Sequence, residues 1–191
     1  YTCFSFTEGP LADTISKMIK LPVCIENDTR SMTYAEYVKG CCKGLKDVVF
    51  VNVCWGLGIG IIVNGELYYG KSGYSGEFGH NPAYNNNIIC HCGKIGCVET
   101  EASGRALKRK LTEAIQAGKQ SILSDKVINR KEDLTLIDIL EAIGKEDVLS
   151  LATLQQVADE LGKQLAGVIN VFNPEMLVIG GEMSVTGNYL T

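Results

Sequence analysis

What the chain lacks narrows its function first. Its 191 residues contain no stretch of about twenty apolar residues that could cross a bilayer. The opening Tyr1-Thr2-Cys3-Phe4-Ser5 has no signal-peptide layout. Eighteen lysines and arginines face 22 acidic residues, with no basic run or stripe. That charge pattern argues against this segment itself holding DNA phosphates, which requires clustered cations. There is no internal repeat and no low-complexity linker. Histidine is scarce, with only His80 and His91. There is no initiator methionine, and both ends fall inside stretches that read as structured, so the chain is expected to be a fragment. Its length suits one large domain or a lobe of a bigger one, and its apolar content of 46% is enough for a real core.

Cysteine, by contrast, is plentiful at eight residues. Cys3, Cys24, Cys41, Cys42 and Cys54 are scattered through apolar segments, where a free thiol behaves as a small hydrophobe. The other three cluster with a histidine. This usage favours a reducing, cytoplasmic setting and a metal site over a disulfide framework.

In chain order, Tyr1 to Pro10 reads as a loop or strand end. Leu11, Ile15, Met18 and Ile19 lie at helical spacing, which predicts a helix from Leu11 to Lys20. Pro22-Val23-Cys24-Ile25 reads as a short buried strand. Asp28 or Thr29 is placed to cap a helix from about Arg30 to Cys42. Val48–Val53 and Ile59–Val63 are strands, Asn64-Gly65 is a tight hairpin turn, and Glu66 to Tyr69 returns. A loop rich in Gly and Ser covers Gly70 to Gly79. Helices are expected from Glu101 to about Ala117 and from Leu134 to Ile143, with Ser121 to Lys131 ambiguous. The longest periodic run, Leu151 to Phe172, marks one apolar helix face. Asn173-Pro174 ends it before a buried strand, Met176 to Ile179. Alternating helices and strands with one hairpin imply an α/β lobe with a mixed sheet.

The chemistry concentrates between Gly76 and Glu99. Cys90, Cys92 and Cys97 supply three soft ligands, and Gly93 and Gly96 let the loop fold tightly around an ion. A structural zinc takes four ligands in a tetrahedron. His91 lies between two cysteines and would point away from the ion they share, so His80 is the better fourth ligand. Such a set has no open position and is structural, not catalytic. The free nitrogen of a metal-bound His80 would face outward, near Glu77 and Glu99. These groups either form a site for a polyol, whose hydroxyls both give and accept hydrogen bonds, or are solvated loop residues. Asp28, beside Asn27, is either a helix cap or a carboxylate presented at a strand's carboxyl end, where it could act as a general base. Gly56, Gly58 and Gly60 form either a phosphate-cradling turn or a plain one, and Gly180-Gly181 invites the same two readings.

Five features occur in one order: Glu26-Asn27-Asp28, the glycine turn, Gly76-Glu77-Phe78-Gly79-His80, the run Cys90-His91-Cys92-Gly93-Lys94-Ile95-Gly96-Cys97-Val98-Glu99, and Asn173-Pro174 leading to Ile179-Gly180-Gly181. From about Leu11 to Ser184 the chain resembles the ROK family, a group of repressors and sugar kinases on the actin-like ATPase/hexokinase fold. The resemblance implies that this is mainly the C-terminal lobe, with zinc on His80, Cys90, Cys92 and Cys97. It implies that Asn27, Asp28, Glu77, His80 and Glu99 contact sugar hydroxyls. In the family's kinases the aspartate matching Asp28 deprotonates the sugar hydroxyl that attacks Mg-ATP. Gly56, Gly58 and Gly60 match a phosphate-binding turn, and Gly180 and Gly181 a segment near adenosine.

Two departures qualify this. Family kinases usually carry Gly-Thr where this chain has Cys54-Trp55, which should crowd a nucleotide or remove a contact. The family's Asp-x-Gly-x-Thr segment and a repressor's helix-turn-helix are both absent and would lie upstream. The expected function is therefore the sugar-sensing lobe of a ROK-type regulator, a homodimer or higher oligomer that touches DNA through another domain. The alternative is an ATP-dependent hexose or aminosugar kinase with Asp28 as base.

Overall fold

The computed structural model describes residues 9–190. The reading of Tyr1 to Pro10 lies almost wholly outside them. The described chain is an α/β unit around one four-stranded sheet. In sequence, α1 (Leu11–Ile19) and α2 (Asp28–Lys39) precede β1 (Val48–Val53), β2 (Leu57–Val63) and β3 (Glu66–Leu67). After the cysteine loop come α3 (Gly104–Gln116), α4 (Leu136–Gly144), α5 (Val148–Phe172) and β4 (Met176–Gly180). The sheet order is β3-β2-β1-β4, with β1 antiparallel to β2 and parallel to β4. It is therefore mixed, as the alternation of elements implies.

The central strand explains the layers. All six residues of β1 are buried, because a strand covered on both faces can be apolar throughout. Val49, Val51 and Val53 point into the main core with Leu107 and Leu111 of α3, Ile139 of α4, and Leu154, Val157 and Leu161 of α5. Val48 joins Cys42 and Ile62 in a smaller cluster on the opposite face, the face on which α2 lies. Each fully buried aliphatic side chain contributes about 1.5–3 kcal/mol to stability. The long helix α5 supplies five of them, Leu154, Val157, Leu161, Leu165 and Val168.

Local signals fix most boundaries. Asn64 and Gly65 both adopt positive φ, as a two-residue hairpin turn demands. Asn173 takes the left-handed conformation at the end of α5, its N–H donating to Ile169 O at 2.8 Å, and Pro174 prevents continuation. Thr135 and Asp138 form a reciprocal capping box at α4. Asp147 caps α5 and accepts from Ser121, Ile122 and Ser150.

Several expectations need correction. Pro22 to Ile25 is not a strand. Ile25 is exposed, and the segment has no strand partner among the described residues. An apolar run makes a strand only when a neighbour accepts its ladder. Asn27, not Asp28 or Thr29, caps α2: its Oδ1 accepts from Arg30 N–H at 3.0 Å, so the helix starts two residues earlier than expected. Helix α3 begins at Gly104, because Ser103 is its cap. Helix α5 starts at Val148, since Asp147 sets its beginning. Ile169 and Phe172 on its last turns are exposed. The ambiguous stretch holds a single π turn, Asp125–Asn129. Strand β4 is half-buried rather than buried, being at the sheet's edge. Strand β2 begins at Leu57, so Gly58 and Gly60 lie in the strand and only Gly56 lies in the turn.

Candidate functional site

The site is assembled where the first turn of α2, the β1–β2 turn and the Gly76–His80 segment meet. Gly76 has positive φ, and a Cβ there would collide with Ile59 O, while Ile59 N–H donates to Gly76 O at 3.0 Å. The loop thus lies flat on β2. It presents Glu77 on one side and His80, at the end of a 3-10 turn from Phe78, on the other.

A cavity of about 180 Å³ results. Its lining includes Asn27, Asp28, Thr29, Asn52, Cys54, Gly56, Gly58, Ser75 and Glu77. Asn27, Asp28 and Glu77, named from sequence, therefore converge on one space. Asp28 accepts through Oδ1 from Thr29 N–H at 2.7 Å, and no hydrogen bond reaches its Oδ2 among the described residues. Glu77 is half exposed, and its Oε2 lies 3.8 Å from His80 Nε2.

The floor is a polar chain that sequence reasoning missed. Asn52 is 4% exposed in an otherwise apolar strand. Its Nδ2 donates to Thr29 Oγ1 at 2.9 Å, and its Oδ1 accepts from the Cys54 thiol at 2.8 Å. A lone amide in a valine-rich strand was the available signal, because a buried polar group survives only when paired. Burial, reinforced by the charges of Glu182 and Asp28, holds the Cys54 thiol above its ordinary range despite an opposing backbone contact with Glu182. Here the thiol serves as a hydrogen-bond donor.

Next to the cavity, ligand atoms of His80, Cys90, Cys92 and Cys97 all lie within 4.8 Å of one another. Cys92 Sγ and Cys97 Sγ are 3.7 Å apart, and Cys90 Sγ lies 3.6 Å from His80 Nδ1. A tetrahedral ion with metal–sulfur bonds of about 2.3 Å has sulfur–sulfur edges of about 3.8 Å. The four residues can therefore hold a metal, and the donor set fits zinc. His80 turns Nδ1 to the cysteines and Nε2 to Glu77, so one ring joins the two sites. Burial pushes the Cys97 thiol up to about 12 and raises Cys90 as well. Metal binding must displace those protons. All seven described cysteines are free.

His91 points elsewhere. Its Nδ1 lies 2.8 Å from Glu99 Oε1, which also accepts from Arg105 at 2.8 Å. Glu99 is 4% exposed and is not part of the cavity lining. Its Oε2 accepts from Leu57 N–H at 3.0 Å, directly beneath the glycine turn. Glu99 thus ties the cysteine loop, α3 and the turn together.

The glycines named for nucleotide do not share one cleft. Gly56 and Gly58 border the cavity above, but each also has a packing reason. A Cβ on Gly56 would sit 2.8 Å from Glu99 Oε2, and one on Gly58 would sit 3.1 Å from Thr29 Oγ1. Gly60 has no room for a Cβ because Thr33 of α2 presses on it. Gly180 and Gly181 border a separate cavity of about 600 Å³ with Met32, Glu36 and Phe50, and Cys54 forms part of both walls. The turn itself is pinned: Cys54 N–H donates to Gly56 O at 3.0 Å, and Gly104 and Arg105 N–H groups hold the Cys54 and Trp55 carbonyls. Trp55 packs against the core, with Lys108 Nζ 5.8 Å from its ring centre.

Comparison with known proteins follows this geometry. A match to the ROK family spans residues 4–191. A glucokinase of Halalkalibacterium halodurans is 35% identical over 182 residues, covering 95% of this chain and 55% of that protein. The crystal structure of a ROK family transcriptional regulator, a homologue of the E. coli MLC protein, superposes with a TM-score of 0.80. It is 37% identical and covers 94% of this chain and 44% of that one. A ROK family glucokinase from Streptomyces griseus, in complex with glucose and AMPPNP, gives a TM-score of 0.83. It is 30% identical and covers 98% of this chain and 61% of that one. The chain spans about half the length of the curated relatives it matches. Regulators and kinases both stand among its relatives, and no helix among the described residues is long and apolar enough to cross a membrane. On the family match over residues 4–191 and these identities, the chain belongs to the ROK family.

Proposed function

We propose that this chain is the sugar-binding effector lobe of a ROK-type transcriptional regulator. The observation that carries this reading is the state of the β1–β2 turn. A phosphate-binding turn needs free N–H groups aimed at its ligand. Here the two amides at the ends of the turn are spent, Cys54 N–H within the turn and Leu57 N–H on Glu99, which leaves at most the Trp55 and Gly56 N–H groups for a phosphate. The side chains on the turn are a half-buried thiol and an indole. The sugar side keeps its acceptors: in this reading Asn27, Asp28, Glu77 and His80 contact hydroxyls, and Glu99 supports the turn from behind. Zinc on His80, Cys90, Cys92 and Cys97 is structural and fixes the His80 ring. DNA is contacted by a segment outside this lobe, the protein works as a cytoplasmic homodimer or higher oligomer, and sugar shifts it between DNA-competent and incompetent forms by binding them unequally.

The second reading, an ATP-dependent hexose or aminosugar kinase, is favoured by Asp28. Asp28 lines the cavity with one carboxylate oxygen unpartnered among the described residues, as a base for the attacking hydroxyl would be. This reading alone requires Mg-ATP. The test uses the full-length protein with a panel of hexoses and aminosugars. The regulator reading expects saturable sugar binding, sugar-dependent release of operator DNA, and no ADP formation with Mg-ATP above background. ADP formed in step with sugar, abolished in Asp28→Asn while sugar binding persists, would replace it with the kinase.

A further inference from the structure

We propose that Cys41 and Cys42, adjacent where the chain leaves α2, are a modification site at which hydrogen peroxide joins the two sulfurs as a disulfide. Three observations converge, none of them at the sugar cavity. First, both thiols are free and their Sγ atoms lie 3.8 Å apart. Second, they differ in access. Cys41 is exposed and lines the cavity of about 600 Å³ beside Gly180 and Gly181. Cys42 is fully buried with Val48 and Ile62. Peroxide therefore reaches Cys41 directly and Cys42 only through it. Third, a base is folded onto the exposed thiol. Glu36 Oε2 accepts from Cys41 N–H at 3.1 Å and from the Cys41 thiol at 3.4 Å. Residue 40 must be glycine for this, because a Cβ on Gly40 would collide with Glu36 Oε2.

The chemistry balances as two thiols and one hydrogen peroxide giving one disulfide and two waters. Cys41 Sγ attacks one peroxide oxygen as its proton passes to Glu36 Oε2. The S–O bond forms, the O–O bond breaks, and the departing hydroxide takes that proton from Glu36 as water. Cys42 Sγ then attacks Cys41 Sγ. The S–S bond forms, the S–O bond breaks, and the second hydroxide leaves as water with the Cys42 proton. Burial, with Cys41 and Glu36 beside it, pushes the Cys42 thiol up to about 11, which keeps it protonated until that step. Adjacent Cα atoms sit about 3.8 Å apart, below the usual span of about 4.4–6.8 Å for a disulfide, so the bond is strained and easily reduced.

The experiment treats the full-length protein with hydrogen peroxide and dimedone, which captures sulfenic acids, and reads intact mass and non-reduced peptide maps. The parent is expected to lose two hydrogens within the one peptide that holds Cys41 and Cys42. Both thiols should be lost together to alkylation after unfolding, and both restored by dithiothreitol. Cys42→Ala is expected to raise dimedone capture at Cys41 at least about tenfold, since no resolving thiol remains. Cys41→Ser changes an exposed side chain, so it should fold, and is expected to leave Cys42 unoxidised. Dimedone or added oxygen on Cys41 of the parent while Cys42 still alkylates overturns the proposal. So does a disulfide from Cys41 to any other cysteine, or a parent in which the exposed Cys24 is oxidised and this pair is not.

Discussion

The two sides of the β1–β2 junction are built on opposite plans. Toward the start of α2, acceptors are left over: Asp28 Oδ2 has no partner among the described residues, and Glu77 has only His80 at 3.8 Å. Toward α3, the turn is tied down: Cys54 N–H donates to Gly56 O, Leu57 N–H to Glu99, and the Cys54 and Trp55 carbonyls accept from Gly104 and Arg105. One side is prepared to receive a ligand, and the other is closed on itself. Both depend on the same cysteine loop, because His80 serves the open side and Glu99, two residues beyond Cys97, serves the closed one. In the proposed reading the same loop therefore both orients a ligand contact and braces the fold.

The strongest way to break this comparison is to remove the shared anchor. Cys97→Ser takes a buried ligand from the four-atom set and should abolish both functions at once. The expected result is loss of bound zinc, loss of detectable sugar binding and a markedly lowered melting temperature, because metal binding energy is folding energy. Zinc content by atomic emission alongside calorimetry checks it. A variant that keeps full sugar affinity without metal would show that the loop does not organise the cavity. The next largest effect belongs to the closed side. Glu99→Ala leaves the half-exposed Arg105 without its carboxylate and the buried Leu57 amide without an acceptor, which should cost about 1–3 kcal/mol of stability, read by urea denaturation. Its effect on sugar affinity should be the smaller one. If affinity collapses while stability holds, Glu99 touches the ligand and the division of the two sides is wrong.

How much of this was legible in the sequence depends on the range of the signal. Asn64-Gly65, Thr135 near a helix start, Asn173-Pro174 and the apolar face of α5 as far as Val168 are local, and the structure bears each of them out. The cysteine set was legible because ligand chemistry constrains spacing, and the four named atoms do come together. Pro22 to Ile25 failed because a strand is a property of two segments, and the sequence of one cannot supply the neighbour. Gly58 and Gly60 show the same limit. Their spacing suggested a cradle for phosphate, yet what excludes a side chain there is Thr29 and Thr33 of α2, remote in sequence. Asn52 went unread because a single amide in a strand says that it is paired, not with what.

The open side is sharpened by a smaller change. Glu77→Ala removes a half-exposed carboxylate that the fold does not use, so stability should move by less than about 0.5 kcal/mol. Sugar affinity should fall by about 1.5–3 kcal/mol, the worth of hydrogen bonds to a charged group. The contrast with Glu99→Ala is the point: one carboxylate acts on binding and the other on folding.

The smallest effect comes from a control far from both sides. At the start of α4, Asp138 accepts from Lys126 Nζ at 2.7 Å and from the Thr135 N–H and hydroxyl at 2.8 and 2.6 Å. Burial pushes this carboxyl up, but the Lys126 ammonium and the Thr135 donors outweigh it and hold the pKa at about 2. A carboxyl depressed on folding stabilises fully above its unfolded value, near 3.8, and loses that contribution as pH falls through the folded value. Because the group is about a quarter exposed, Asp138→Asn should cost only about 1–2 kcal/mol at neutral pH. The gap between variant and parent should close as the pH is lowered from about 4 toward 2. Sugar affinity at neutral pH should not change. If it does, the helical face and the cavity are coupled through the core, and the two sides of the junction are not the independent units that their hydrogen bonding describes.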